Sequence, residues 1–332
     1  MKKFFVQCLI NAIALAVIPL SFHFFTPVQS EIISPDNLST SEESTTKTDF
    51  STIKVFNEDT GVVSEMDFRE YIIGVVAGEM PVEFHSEALS AGTAAAATLA
   101  RKKLAEGEKS ELQGGVISTD PAKHQAYMSV EDMKEKWGDS FDKYYEKLTL
   151  AVDKAIDYSI VYQDELIVAA YHAISPGKTE DAGNVWSASF PYLKEADSEW
   201  DKLSPKYASS LFVSNDEFTE KLKLYGADFP DGSIEFGEGT YTDAGTLISI
   251  TIGGKVFSGK QLREIFSLRS AAITLSKADG GINFSVRGYG HGVGMSQYGA
   301  DYLARQGKSW KEIIAHYYPG TETILNYNEN KE

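Results

Sequence analysis

The chain has 332 residues, 42% of them hydrophobic, enough to bury one large core or two lobes. A formal net charge of −17 repels nucleic acid and argues against tight binding to an anionic membrane face. The single cysteine, Cys8, excludes a disulfide framework and a cysteine-based zinc site in the rest of the chain.

Lys2 and Lys3 precede an apolar run from Phe4 to Phe25 that is long enough to span a bilayer, and the lysines place the N-terminus inside. Residues 1–25 therefore read as a transmembrane anchor, with a cleaved signal peptide as the competing reading. Residues 26–49 are mostly Ser, Thr, Glu and Asp and read as a flexible tether. Residues 50–327 form the folded body and 328–332 a polar tail. The expected location is the cell membrane, single-pass, with the body outside the cytoplasm.

Within the body, residues 51–57 and 62–67 alternate apolar and polar residues around a turn and predict a hairpin. Residues 68–79 have helical spacing that stops at Pro81. Residues 86–105 predict a long Ala-rich helix, and 133–156 a helix broken near Gly138. Strands are expected at 160–162 and 166–170, and a short helix at 218–224. Residues 247–252 and 255–257 predict a hairpin around Gly253-Gly254. A helix capped by Ser258 follows at 259–266. A strand at 282–287 leads through a glycine-rich loop to helices at 296–305 and 310–317. Strands and helices are interspersed without βαβ order, so the expected fold class is α+β, a single mixed body with a substrate groove.

Four constellations could carry chemistry. In Val75-Val76-Ala77-Gly78-Glu79-Met80-Pro81, the proline forces Met80 out of the helical region and leaves Glu79 at a helix C-terminus. The helix dipole and apolar neighbours both disfavour the carboxylate there, as a general acid requires; an ordinary exposed glutamate is the plain alternative. The segment from Ser118 to Tyr127 holds His124 as a lone candidate metal ligand, and a surface loop is the simpler reading. Tyr171 to Glu180, followed by Trp186, is a polar turn with aromatics, of a kind that suits sugar faces or a core equally. From Gly288 to Ala300, four glycines alternate with larger residues, a pattern for positive φ or close backbone approach. It presents His291 between two glycines, and a structural glycine loop with a satisfied histidine is the equal alternative. No H-E-x-x-H and no G-x-S-x-G is present, which removes the usual metalloprotease and esterase signatures.

Taken in order, these segments resemble the stage II sporulation protein D family, which shares its domain with amidase-enhancer proteins. The resemblance runs from about Tyr71 to Tyr318. It rests on Gly74 through Pro81, Glu87-Ala88-Leu89, Ser175 through Glu180, Phe190-Pro191-Tyr192-Leu193 and Gly288 through Ala300. It implies a lytic transglycosylase of septal wall remodelling and engulfment during sporulation. Such an enzyme cleaves peptide-free peptidoglycan strands between N-acetylmuramic acid and N-acetylglucosamine and leaves 1,6-anhydro ends. Glu79 matches the family's catalytic acid. Ser175, Thr179, His291, Gln297 and Tyr298 are expected in or near the groove. Sporulation proteins P, an amidase and endopeptidase, and M, a membrane scaffold, are the implied partners. Thr119, Lys123 and His124 stand where some relatives carry zinc ligands, so no zinc or other cofactor is expected. Gly92 and Ala97 stand where the family pattern has Gln and Arg, and Pro176 where it has Gly. These departures keep open a non-enzymatic glycan-binding amidase activator, or a structural member of an engulfment complex.

Overall fold

The computed structural model describes residues 50–120, 123–186 and 188–327. The expected anchor, tether and tail lie outside the described residues. No helix among the described residues is long and apolar enough to cross a membrane.

Strands β1 (Thr52–Asn57) and β2 (Val62–Asp67) pair antiparallel as the expected hairpin. Asp67 ends the hairpin and caps α1 (Phe68–Glu79), its side chain accepting from Glu70 N. Helix α2 (Ser86–Glu106) follows. It is buried over most of its length because alanines at 88, 91, 94, 95, 96, 97 and 100 let neighbours approach from every side. Strand β3 (Ile117–Ser118) adds parallel to β1. The expected break at Gly138 separates α3 (Val130–Trp137) from α4 (Phe141–Ala155). Arg101 of α2 closes the end of α4. Its guanidinium donates to Ile156 O at 2.6 Å and Tyr158 O at 3.0 Å.

Strand β4 (Tyr158–Tyr162) turns through Gln163 and Asp164, both at positive φ, into β5 (Glu165–Leu166). The expected strand over 166–170 ends at Leu166. Val168 N donates to the Tyr192 hydroxyl and Ala170 N to Val168 O, so these amides leave the ladder. Strand β6 (Tyr171–His172) and helix α5 (Ala182–Val185) follow.

The next stretch builds a second, separate cluster. It comprises β7 (Ala208–Ser214), α6 (Asn215–Lys223), β8 (Thr240–Tyr241), β9 (Leu247–Ile252) and β10 (Lys255–Phe257). It continues with α7 (Gly259–Ile265), β11 (Ala272–Ala278) and β12 (Gly281–Arg287). The β9–β10 turn uses Gly253 and Gly254 at positive φ, and Ser258 caps α7, both as expected. The chain then returns to the first cluster through β13 (Met295–Ser296), α8 (Gln297–Arg305), α9 (Trp310–Tyr317) and β14 (Glu322–Leu325).

The body is mixed α and β, with no sheet of more than three strands among the described residues. Two hydrophobic clusters fill it. The larger surrounds α2 and takes in α1, α4, α9 and β4. The smaller lies within residues 213–286 and centres on Phe218, Phe266 and Phe284.

Candidate active site

Pro81 has the expected effect on α1. Met80 is extended, with φ −120° and ψ 138°, so the helix stops with Glu79 as its last residue. Glu79 sits in a crevice walled by Val76 of α1, Met80 just beyond it, Gly92 and Ala96 of α2, and Tyr171 and Gln297. The crevice encloses about 210 Å³ including its open mouth. Within it there is room for about one water, ≈ 10 Å³.

The Glu79 carboxyl is partly buried and held by neutral groups. Ala126 N donates to Oε1 at 2.7 Å, and Gln297 Nε2 lies 3.5 Å from Oε2. Burial raises its pKa above the ordinary carboxylate range, partly offset by hydrogen bonds from Ala126, Gln297 and Tyr171. Behind it runs a polar chain. The Tyr71 hydroxyl donates to Gln125 Oε1 at 3.2 Å, and Gln125 Nε2 donates to the Tyr171 hydroxyl at 3.0 Å.

Gly92 has a local reason. A Cβ there would lie 2.2 Å from Met80 Sδ, so the thioether fills the volume a side chain at 92 would take. The extended Met80 and the bare Gly92 are two halves of one packing solution. Ala97, the other departure from the family pattern, is fully buried in the larger cluster.

The glycine-rich loop positions Gln297. Gly288, Gly290, Gly292 and Gly294 all have positive φ, between 71° and 109°. A Cβ on Gly294 would lie 2.0 Å from Ala170 O, closer than any side chain tolerates. The loop can therefore run along the 170–180 segment, with single bridges at Ile174–Tyr289 and Glu180–Val293. It ends as β13 paired parallel to β6, with Met295 opposite Tyr171. Ser296 then caps α8, accepting from Gly299 N, and Gln297 enters the crevice.

Of the five groove residues expected besides Glu79, Gln297 is the one hydrogen-bonded to it. Ser175 and Thr179 are fully buried and hold their own loop. Ser175 Oγ accepts from Gly177 N, while Thr179 Oγ1 donates to Lys194 O and accepts from Ala196 N. Asp201 anchors that loop, accepting from Ser175 N at 2.7 Å. His291 packs against Trp186 and His172 at 5.3 and 5.7 Å between ring centres, and its Nδ1 accepts from Val293 N. Burial pushes its pKa down to about 4, helped by the charge of Arg263, so the ring is neutral at pH 7. Tyr298 meets Phe84 edge-on at 4.9 Å.

His124 pairs through Nδ1 with Ser118 Oγ at 3.0 Å, and Lys123 pairs with Glu58 and Asp120. Among the described residues no group of three or more His, Cys, Asp or Glu is placed to hold a metal ion. Sequence reasoning missed Tyr71, Gln125 and Tyr171 as neighbours of Glu79. For Tyr71 a signal existed: two i+4 steps, through Val75, lead from it to Glu79 along one helix face. For Gln125 and Tyr171 no local periodicity pointed to the site.

Residues 56–162 match the family model described as "Stage II sporulation protein", SpoIID. The chain is 37% identical over 271 residues to "Stage II sporulation protein D" of Bacillus amyloliquefaciens, covering 81% of this chain and 78% of that protein. It is 36% identical over 273 residues to the protein of the same name in Bacillus subtilis (strain 168), with the same coverage. It is 26% identical over 312 residues to the "Amidase enhancer" of Bacillus subtilis (strain 168), covering 76% of this chain and 40% of that protein.

Proposed function

The chain belongs to the stage II sporulation protein D family, and from that premise we propose that it is a lytic transglycosylase acting on peptide-free peptidoglycan strands during sporulation. The observation that carries this reading is the Glu79 carboxyl. It sits at a helix end in a crevice, its pKa raised by burial, hydrogen-bonded to an amide and a carboxamide, with the Tyr171 phenol lining the same crevice. A carboxyl of that kind stays protonated to higher pH than an exposed one, which suits a general acid.

The chemistry needs one carboxyl used twice. Oε1 is committed to Ala126 N, which leaves Oε2 to carry the proton. Glu79 gives this proton to the glycosidic oxygen as the C1–O bond of N-acetylmuramic acid breaks with oxocarbenium character. The sugar's own O6 then attacks C1, and its proton passes to the Glu79 carboxylate. The 1,6-anhydro ring closes, Glu79 is again protonated, and no water is consumed. The N–H of Ala126 supports the carboxylate during the interval in which it is charged.

Residues 1–25 as an anchor would hold this activity at the outer face of the cell membrane, beside the sporulation proteins P and M that the family resemblance implies. Incubating the protein with peptide-free glycan tests the reading. Anhydro-ended fragments by mass spectrometry are expected from the native chain. Glu79→Gln should keep the fold and lose product formation by at least about 100-fold, the usual contribution of a general acid. Retained turnover in that variant would remove Glu79 from its role.

A second reading has specific support. Gly92 and Ala97 replace two polar residues of the family pattern, and the chain is also related to an amidase enhancer. Under that reading the protein binds glycan and stimulates an amidase without cutting. Binding to denuded strands with no anhydro product would favour it.

A further inference from the structure

We propose that Tyr171 is a positioning residue for the Glu79 carboxyl, and that Gln125 sets the direction in which the Tyr171 hydroxyl donates. This deepens the reading of Glu79 as the acid–base group and rests on it.

The direction of the chain follows from donor and acceptor chemistry. Gln125 is fully buried, and one side of its amide lies 3.4 Å from Ala96 O, a backbone carbonyl that can only accept. That side must therefore be the nitrogen. Its other N–H points at the Tyr171 oxygen, 3.0 Å away. The amide oxygen faces Tyr71, whose hydroxyl donates to it at 3.2 Å. With its oxygen receiving the Gln125 proton, Tyr171 has its own proton to give elsewhere. It lines the same crevice as Glu79, which has room for about one water, so the Tyr171 hydroxyl faces the carboxyl directly or across that water, and its donation is among the effects that oppose the burial of Glu79. The donated protons thus run one way, from Tyr71 through Gln125 and Tyr171 to Glu79.

Among the described residues no charged group acts on the carboxyl. The titratable groups facing it are Tyr71 on its own helix and Tyr171 on β6. Helix α2 contributes Gly92 and Ala96, α8 the neutral Gln297, and the 125–126 segment an amide and a backbone N–H. Tyr71 and Tyr171 are both held well above the ordinary tyrosine range by burial first and then by Glu79, so each remains a proton donor at neutral pH. Neighbouring Tyr318 is committed to Ala170 O.

A neutral donor in this position has a definite consequence. It stabilises the carboxylate once the proton has left, without the fixed charge that a lysine would bring. The acid is thereby kept strong enough to give up its proton, and the oxygen that receives it back is held in one place.

The test needs no turnover. The full-length protein is labelled with ¹³C at the glutamate side-chain carboxyls, and the Glu79 signal is identified by its loss in Glu79→Gln. Its titration is followed by NMR in native protein, Tyr171→Phe, Gln125→Met and the double variant. Tyr171→Phe is expected to move the Glu79 midpoint up by about one pH unit, the size of a lost hydrogen bond to a charged group. Gln125→Met should move it in the same direction by less, and should add nothing once Tyr171 is Phe. An unmoved midpoint in Tyr171→Phe overturns the proposal, as does a Gln125→Met effect that persists in the double variant. If Tyr171→Phe does not fold, a midpoint unmoved in Gln125→Met overturns it alone. These results stand apart from the proposed function: a protein that makes no anhydro product yet shows the expected midpoints keeps the relay and loses the transglycosylase.

Discussion

Burial raises the Glu79 pKa above its value in an unfolded chain, which makes the stability of the native state fall as pH rises. The folded state binds the proton more tightly, so the stability present below the unfolded pKa is lost as pH rises through the folded one. Between the two pKa values the unfolded chain ionises while the folded carboxyl still holds its proton, and above both the native protein carries a carboxylate in a site that disfavours it. Glu79→Gln removes the charge while its amide oxygen can still accept from Ala126 N. The variant should therefore melt above the native protein at pH 7, with the difference vanishing near pH 4, where both chains are neutral at this position. Thermal melts at the two pH values check this. A variant less stable than the native protein at pH 7 would mean that the site favours the charged form.

At the scale of elements, the crevice comes from two local decisions: the helix stop at Pro81 and the absence of a side chain at Gly92. The first was legible in the sequence, because proline restricts the residue before it, and α1 ends at the expected place. The cap at Ser258, the Gly253-Gly254 turn and the positive φ of the 288–294 glycines were legible for the same kind of reason, each being backbone chemistry within a few residues. What was not legible was set by partners far along the chain. Strands β7, β11 and β14 lack clean alternation and are defined by pairing, and Gln125 meets Glu79's neighbours only because the 125–128 segment packs on α1. Gly92 is the sharpest case. Read alone it weakens a helix by roughly 1 kcal/mol relative to Ala, yet a Cβ would strike Met80 Sδ. Gly92→Ala should therefore destabilise the native chain by about 1 kcal/mol, overpacking outweighing propensity. In a Met80→Ala background the same change should stabilise by up to about 1 kcal/mol. Chemical denaturation of the four chains reads this reversal, and a stabilising Gly92→Ala in the native background would refute the packing account.

Across the whole molecule, the second hydrophobic cluster is built from one continuous stretch whose ends meet. Ala208 pairs with Arg287, so the segment leaves and rejoins the larger cluster at neighbouring points. Its last strand, β12, runs straight into the glycine-rich loop that carries Gln297 to the crevice, and Thr242 reaches the buried Glu180 through a 2.7 Å hydrogen bond. The two hydrophobic clusters share no buried residue, which favours partly independent opening. Phe284 tests this. It is fully buried, with ring centres of Phe266 and Phe218 at 4.7 and 6.0 Å. Phe284→Ala should cost about 3–5 kcal/mol locally through the cavity it leaves. Amide hydrogen exchange is then expected to accelerate in β7, β11 and β12 while α2 keeps its protection and the Glu79 titration midpoint stays where it is. Equal loss of protection in α2 would show instead that the two clusters open as one unit, and that the crevice depends on the far cluster as much as on α1 and α2.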